Sequence, residues 1–189
     1  MKRRDFLFAA GGATFGSAAS LPIWLGSAQS EPSALGAYDQ RLIDLGIELP
    51  EAPAPVATYA AWRKSGNLVF IAGQGPAFVE GQTAFGTLGQ ELSIQSGYDA
   101  ARSAGLNVLA QLRESCGGSL NSVQQCLQLT GYVNSDDSFK DQPSVVNGAS
   151  DLFVEVFGEL GKGARAAVGV NTLPFNVAVE IESIWQIRD

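Results

Sequence analysis

The sequence predicts an α+β domain in which a mixed β-sheet carries two helices on one face. Strand-like and helix-like segments alternate in the order β-β-α-β-α-β-β over residues 56–189. The last segment, residues 177–187, alternates apolar and polar side chains, which is typical of a strand with one buried face. Because two helices cover only one face, we expect the other face to pack against further copies of the chain in a closed homo-oligomer.

The first thirty residues have the plan of an export signal. Residues 2–4 are basic, and no charged residue occurs between residues 6 and 30. The adjacent Arg3 and Arg4, followed soon after by Phe-Leu, resemble the bacterial twin-arginine signal. An uncleaved membrane anchor is the alternative, but Pro22 and several glycines weaken that interpretation. We therefore expect export to a bacterial periplasm, with no stable membrane span in the mature protein.

The composition excludes several classes of function. The chain has 12 basic and 19 acidic residues, a net charge of −7, and no histidine. Removing residues 1–30 would take away three basic residues and one acidic residue, which leaves a net charge of −9. Such a surface repels nucleic acid, and imidazole-dependent catalysis is impossible. With Cys116 and Cys126 as the only cysteines, a four-cysteine metal site is also excluded, and we expect no cofactor.

The segments before residue 90 predict an arm and a hairpin. Residues 31–55 carry four prolines around one short amphipathic helix, residues 38–45, and then an extended arm. Val56–Trp62 and Leu68–Ala72 flank a Gly-Asn turn, which predicts a β-hairpin at the start of the domain of residues 56–189. Thr83–Thr87 is a candidate short strand in a glycine-rich stretch.

Two helices and a strand follow. Ser93 is the expected N-cap of a helix that reaches Cys116, where two glycines end it. Val123–Asn134 is the next predicted strand. Pro143 favours the first turn of a second helix. The apolar stripe of that helix consists of Ala149, Leu152, Phe153, Val156 and Leu160.

The last two strands, Ala164–Val170 and Val177–Ile187, are expected to pair antiparallel across a short turn. That pairing would bring Arg165 close to Glu180 or Glu182. The arginine then has two interpretations. It forms a surface ion pair with one of these glutamates, or its planar donor group binds the carboxylate of a ligand.

Five segments carry a family resemblance. In chain order they are Gly66–Pro76, Asn147-Gly148-Ala149, Ala164-Arg165, Leu173-Pro174 and Val179–Glu182. Together they resemble the RidA family of reactive-intermediate deaminases, which is also called YjgF-like and endoribonuclease L-PSP. The resemblance covers about residues 55–187 and implies a chorismate mutase-like fold, assembled as a homotrimer with clefts between subunits. It also implies hydrolysis of enamine and imine intermediates, such as 2-aminoacrylate, to 2-keto acids and ammonia.

The resemblance assigns roles to six residues. Arg165 would grip the substrate carboxylate, and Glu180 would stand beside the attacking water, so these two form the expected catalytic pair. The other expected substrate-binding residues are Tyr59, Gly73, Gln74 and Asn147. Gly73 and Gln74 belong to the loop that would shape the pocket wall.

Two positions depart from the family pattern. Ala60 follows Tyr59 where active members often carry serine, and Ala167 lies two residues after Arg165 where they often carry cysteine. The cleft would lose two polar groups but keep its arginine and its carboxylate. The alternative function is therefore a non-catalytic trimer that binds small carboxylic acids in the same cleft.

Overall fold

The structure, a computed structural model, describes residues 37–77 and 84–188. The predicted export signal of residues 1–30 lies outside these residues. The elements in chain order are α1 (Tyr38–Asp44), β1 (Trp62–Ser65), β2 (Leu68–Gln74), α2 (Ile94–Ser115), β3 (Val123–Asn134), α3 (Gln142–Phe157), β4 (Ala164–Val170) and β5 (Val179–Ile187). Short 3-10 turns at Gly158–Gly161 and Pro174–Asn176 precede β4 and β5.

The five strands form one mixed sheet with the order β1-β2-β5-β3-β4. Neighbouring strands are antiparallel except β3 and β4, which are parallel. The expected antiparallel pairing of β4 with β5 is therefore wrong, because β3 lies between them. Helix α3 supplies the crossover connection that a parallel β3–β4 pair requires. This arrangement makes β4 an edge strand.

The opening hairpin is shorter than predicted. The first strand begins at Trp62, not at Val56, and Gly66 and Asn67 form a two-residue turn between Ser65 and Leu68. Gly66 has a φ of 57°, and a two-residue hairpin turn of this kind favours glycine there. The candidate strand at Thr83–Thr87 is reduced, in its described part, to a single bridge between Phe85 and Val177.

Helices α2 and α3 pack on one face of the sheet, as predicted. Ser93 accepts a hydrogen bond from Ser96 N at 3.1 Å, which confirms it as the N-cap of α2. The alternation predicted for β5 is also confirmed, because Val179, Ile181, Trp185 and Ile187 are buried beneath the helices. The Trp185 ring packs edge-on against Phe153 of α3, with centroids 5.0 Å apart. Tyr38, Leu42 and Leu49 of the N-terminal segment belong to the same core.

The other face of the sheet, which we call the open face, carries no helix among the described residues. Glu180 and Glu182 of β5 point to it, as does Tyr132 of β3. Phe70 of β2 and Val168 of β4 also lie there, with 40% and 41% of their surfaces exposed. Within residues 37–77 and 84–188, no helix combines the length and the apolar character needed to cross a bilayer.

Candidate active site

Arg165 lies on edge strand β4 with its side chain toward α3. Its strand partner is Leu129, which is buried under the helices. Arg165 Nη1 donates to Asn147 Oδ1 at 2.7 Å and to Ser150 Oγ at 3.0 Å. We call these three residues the arginine cluster. The structure thus brings together two of the predicted residues, Arg165 and Asn147.

The guanidinium keeps donors for a further partner. Arg165 is exposed, and Nη1 is its only nitrogen with an acceptor among the described residues. The salt bridges within that part of the chain are Arg102–Glu155 and Lys162–Glu159, so no carboxylate there pairs with Arg165. The predicted ion pair with Glu180 or Glu182 is therefore absent, because β4 does not lie beside β5. Nε and Nη2 can still make a forked contact with a carboxylate.

Ser150 was not predicted from the sequence. It lies three residues after Asn147 on α3, so both side chains reach the same side of the helix and the same nitrogen of Arg165. A polar residue at that spacing from Asn147 is the signal that could have identified it. The two oxygens fix the orientation of the guanidinium.

Glu180 lies on the open face against the bulge at the end of β2. The pairing of β2 with β5 shifts register between Ile71 and Gln74, and Gly73 lies inside that irregularity. A Cβ added at Gly73 would overlap Glu180 Oε1 and come within 2.6 Å of Glu180 Cδ. The carboxyl group therefore occupies space that only glycine leaves open.

The other two predicted residues lie near this bulge in the chain, but Gln74 pairs with Ile181 and its side chain faces the helices. Gln74 is buried, and its Nε2 donates to Ala72 O and Gly73 O at 3.1 Å, so this amide stabilises the bulge. Tyr59 precedes β1 at the end nearest Gly73, because Ala72 N bonds Ala61 O, and 48% of its surface is exposed. We call Glu180 and Gly73 the glutamate cluster.

Burial and a neighbouring charge both affect Glu180. Desolvation raises the pKa of Glu180, and the negative charge of Glu182 raises it further. Tyr132 Oη donates to Glu182 Oε1 at 3.0 Å, and burial is the main cause of a raised pKa for Tyr132. A carboxyl group with a raised pKa can exchange a proton nearer neutral pH, which suits a general base.

The two clusters are separate within one chain. Arg165 is opposite Leu129 on β3, whereas Glu180 is opposite Tyr132, and these two β3 residues point to opposite faces. Strand spacing places the two Cα atoms roughly 10 Å apart across the sheet and roughly 10 Å apart along it. No single ligand the size of pyruvate could contact both side chains from one chain.

Other candidates for chemistry are weaker. Burial raises the pKa of Cys126 to about 12, so its thiol stays neutral, and both cysteines are free. Within the described residues, no group of three side chains could hold a metal ion. A cavity of about 820 Å³ between Glu48–Glu51 and α2 contains none of the predicted site residues.

Comparisons with known proteins find relatives over most of the chain. Residues 39–183 match the family described as "YjgF/chorismate mutase-like, putative endoribonuclease". Protein TCP17 of Trypanosoma cruzi is 40% identical over 82% of this chain and 98% of its own length. A 2-iminobutanoate/2-iminopropanoate deaminase of Dermatophagoides farinae is 28% identical over 75% of this chain and 95% of its own. The crystal structure of Atu1372, a protein with unknown function from Agrobacterium tumefaciens, superimposes with a TM-score of 0.72 at 38% identity, covering 80% of this chain and 94% of that one.

Proposed function

Because the chain belongs to the YjgF/chorismate mutase-like family, we propose that it hydrolyses 2-imino acids and their enamine tautomers to 2-keto acids and ammonia. The relative from Dermatophagoides farinae is named for such a reaction. The observation that carries the proposal is the exposed guanidinium of Arg165, which Asn147 and Ser150 orient while Nε and Nη2 keep free donors among the described residues.

The proposed site lies between two copies of the chain. The arginine cluster of one copy and the glutamate cluster of the next would form the two walls of a cleft, since one chain holds them on opposite faces of its sheet. The open face supports association, because it exposes Phe70 and Val168 and buries part of Glu180. The proposed assembly is a homotrimer, and light scattering on the mature protein should give three times the mass of one chain.

The reaction needs few groups. Arg165 would hold the carboxylate of the imino acid through Nε and Nη2. Water then adds to the imine carbon while Glu180 accepts one of its protons and passes it to the nitrogen, which gives a carbinolamine. Glu180 next takes the hydroxyl proton of the carbinolamine and delivers it to the nitrogen as the C–N bond breaks, so the oxygen becomes the keto oxygen and ammonia leaves. The products are a 2-keto acid and ammonia, so atoms and charge balance without a redox step. Positioning and one proton transfer contribute on the order of 10² to 10⁴-fold.

The direct test uses 2-aminoacrylate generated in situ. The mature protein should release pyruvate and ammonia faster than buffer does, and Arg165→Ala should remove that difference. Arg102→Ala is the matched control, because Arg102 already makes a two-point ion pair with Glu155 on the outer surface of the helices. Release no faster than in buffer by the unmodified protein would contradict the proposed activity.

A second candidate function is binding without turnover. Ala167 lies on the same face of β4 as Arg165, two residues further on, so position 167 offers only a methyl group beside the guanidinium. If the protein only binds small carboxylic acids, calorimetric titration with pyruvate should give a binding signal that Arg165→Ala abolishes. The same protein should not hydrolyse 2-aminoacrylate. Those two measurements together separate the candidates.

We also propose that the protein is exported to a bacterial periplasm. The proposal rests on the basic start and the uncharged stretch of residues 1–30. Fractionation of a bacterium that expresses the full chain should find the shortened protein in the periplasm. Replacing Arg3 and Arg4 with lysine should retain the full-length chain in the cytoplasm, and an unchanged distribution would contradict a twin-arginine route.

A further inference from the structure

Phe175 is an exposed aromatic residue in an unfavourable backbone conformation. Its φ is 56° and its ψ is 15°, in the left-handed region that residues other than glycine and asparagine rarely adopt. In addition, 78% of its surface is exposed, the largest exposed fraction among the large apolar residues of the described chain. Neither local propensity nor core packing accounts for phenylalanine at this position. Such an outlier points to a contact made outside the folded chain.

The turn that carries Phe175 is held in place by its neighbours. Asn176 N bonds Leu173 O at 3.1 Å, and Gly86 N bonds Asn176 O at 2.8 Å. The buried Asn134 donates from Nδ2 to Asn176 Oδ1 at 3.2 Å and also to Gly86 O. The aromatic ring therefore extends from a fixed turn.

This turn connects the two strands that carry the proposed site. It begins after β4, which holds Arg165, and it leads into β5, where Glu180 follows five residues after Phe175. Gly75 lies against Val177, so the turn occupies the same end of the sheet as the bulge of the glutamate cluster. Phe175 thus lies at the rim of the wall that contains Glu180.

We propose that Phe175 determines specificity in the cleft and favours 2-imino and 2-keto acids with an apolar side chain of several carbons over pyruvate-sized acids. The inference rests on the proposed function, because a neighbouring copy must bring its Arg165 to this wall. With the carboxylate on Arg165 and the reacting carbon near Glu180, the ligand side chain extends toward the rim. Ala167, on the same face of β4 as Arg165, leaves room there and adds no polar group.

The test compares the binding of two stable products, pyruvate and 4-methyl-2-oxopentanoate, by calorimetry. The mature protein should bind 4-methyl-2-oxopentanoate about 10-fold more tightly than pyruvate, from burial of its extra carbons against the ring. Phe175→Ala should remove most of that preference without changing the affinity for pyruvate, whereas Phe175→Leu should keep part of it. Phe175→Asn is the control for backbone strain, because asparagine tolerates the left-handed region, and it should lose the preference as alanine does.

The outcomes separate this inference from the proposed function. If both acids bind in an Arg165-dependent manner and Phe175→Ala keeps the 10-fold preference, Phe175 has no role in specificity and the proposed function stands. If the unmodified protein binds them equally, the inference is likewise wrong. If neither acid binds, or binding ignores Arg165→Ala, the proposed function fails and this inference fails with it. Circular dichroism and assembly mass show whether each variant is folded.

Discussion

Arg165 and Glu180 lie on opposite faces of the sheet, with strand β3 between their own strands. Each has its own supporting residues. Asn147 and Ser150 fix the guanidinium, and the bulge at Gly73 makes space for the carboxylate. This separation is the basis of the proposed cleft, which a second copy of the chain would complete.

Arg165 should dominate ligand affinity. Replacing it with alanine removes a charge-assisted hydrogen-bonded contact, which corresponds to a loss of about 10- to 100-fold in the affinity for a 2-keto acid. Arg165→Lys should restore only part of it, because an ammonium group cannot form the forked contact. Calorimetry with a keto acid measures both changes. An affinity within 2-fold of the original in Arg165→Ala would show that the carboxylate binds elsewhere.

Asn147 should act through the orientation of Arg165. Asn147→Ala removes the 2.7 Å contact to Nη1, while Ser150 still holds that nitrogen at 3.0 Å. We expect keto-acid binding to weaken by about 5-fold in Asn147→Ala, and by more when Ser150→Ala is added. In an Arg165→Ala background the same two substitutions should have no further effect on binding. Full additivity there would mean that Asn147 and Ser150 do not work through the arginine.

Gly73→Ala should disturb Glu180 without disturbing the fold. A methyl group at position 73 would displace the carboxyl group of Glu180, so turnover should fall about 10-fold or more while keto-acid affinity changes little. Gly75→Ala is the matched control, because its Cβ would make only an ordinary 3.6 Å contact with Val177. Steady-state kinetics on both variants provides the comparison. Equal rates for the two variants would show that the space at Gly73 does not matter for turnover.

The pH dependence should identify Glu180 as the base. Burial and the charge of Glu182 raise the pKa of Glu180, and a general base must be deprotonated, so kcat/KM should fall as pH decreases through that raised value. Glu180→Gln should lower the rate and abolish this acidic limb. If the limb persists in Glu180→Gln, another group controls it.

The same raised pKa predicts an effect on stability. The folded chain binds the Glu180 proton more tightly than the unfolded chain does, so ionisation of this group reduces stability as pH rises from the ordinary glutamate pKa through the raised one. Glu180→Gln should therefore be more stable than the original protein at pH 7 and lose that advantage at pH 4. Urea unfolding at the two pH values, with unfolding midpoints as the readout, measures the difference. An advantage at pH 4 that equals the one at pH 7 would contradict the assigned cause.

The elements of the fold were predictable because local signals specify them. Ser93 caps α2, Pro143 lies in the first turn of α3, and alternation along β5 identifies its buried face. The strand order was not predictable in this way. Alternation shows which side of β5 is buried but not which strand lies beside it, so the short link between β4 and β5 favoured a hairpin that does not exist.

The candidate site, like the fold, was predictable in its residues but not in how they are grouped. The residue types and the family resemblance identified Arg165, Asn147 and Glu180 as candidates. Their grouping depended on strand order, so the sequence suggested an Arg165–glutamate contact within one chain where the structure has two separate clusters. Ser150 and the close approach of Glu180 to Gly73 depend on tertiary packing and had no strong local signal.

The most direct test of the shared cleft is subunit complementation. Arg165→Ala and Glu180→Gln proteins are each expected to be nearly inactive toward 2-aminoacrylate. When they are unfolded together at equal concentration and reassembled, about a quarter of the clefts in a randomly mixed homotrimer would pair an intact Arg165 with an intact Glu180 from the neighbouring copy. Activity should return to about that fraction of the original. Mixed assemblies that stay as inactive as the separate variants would contradict a cleft shared between two copies.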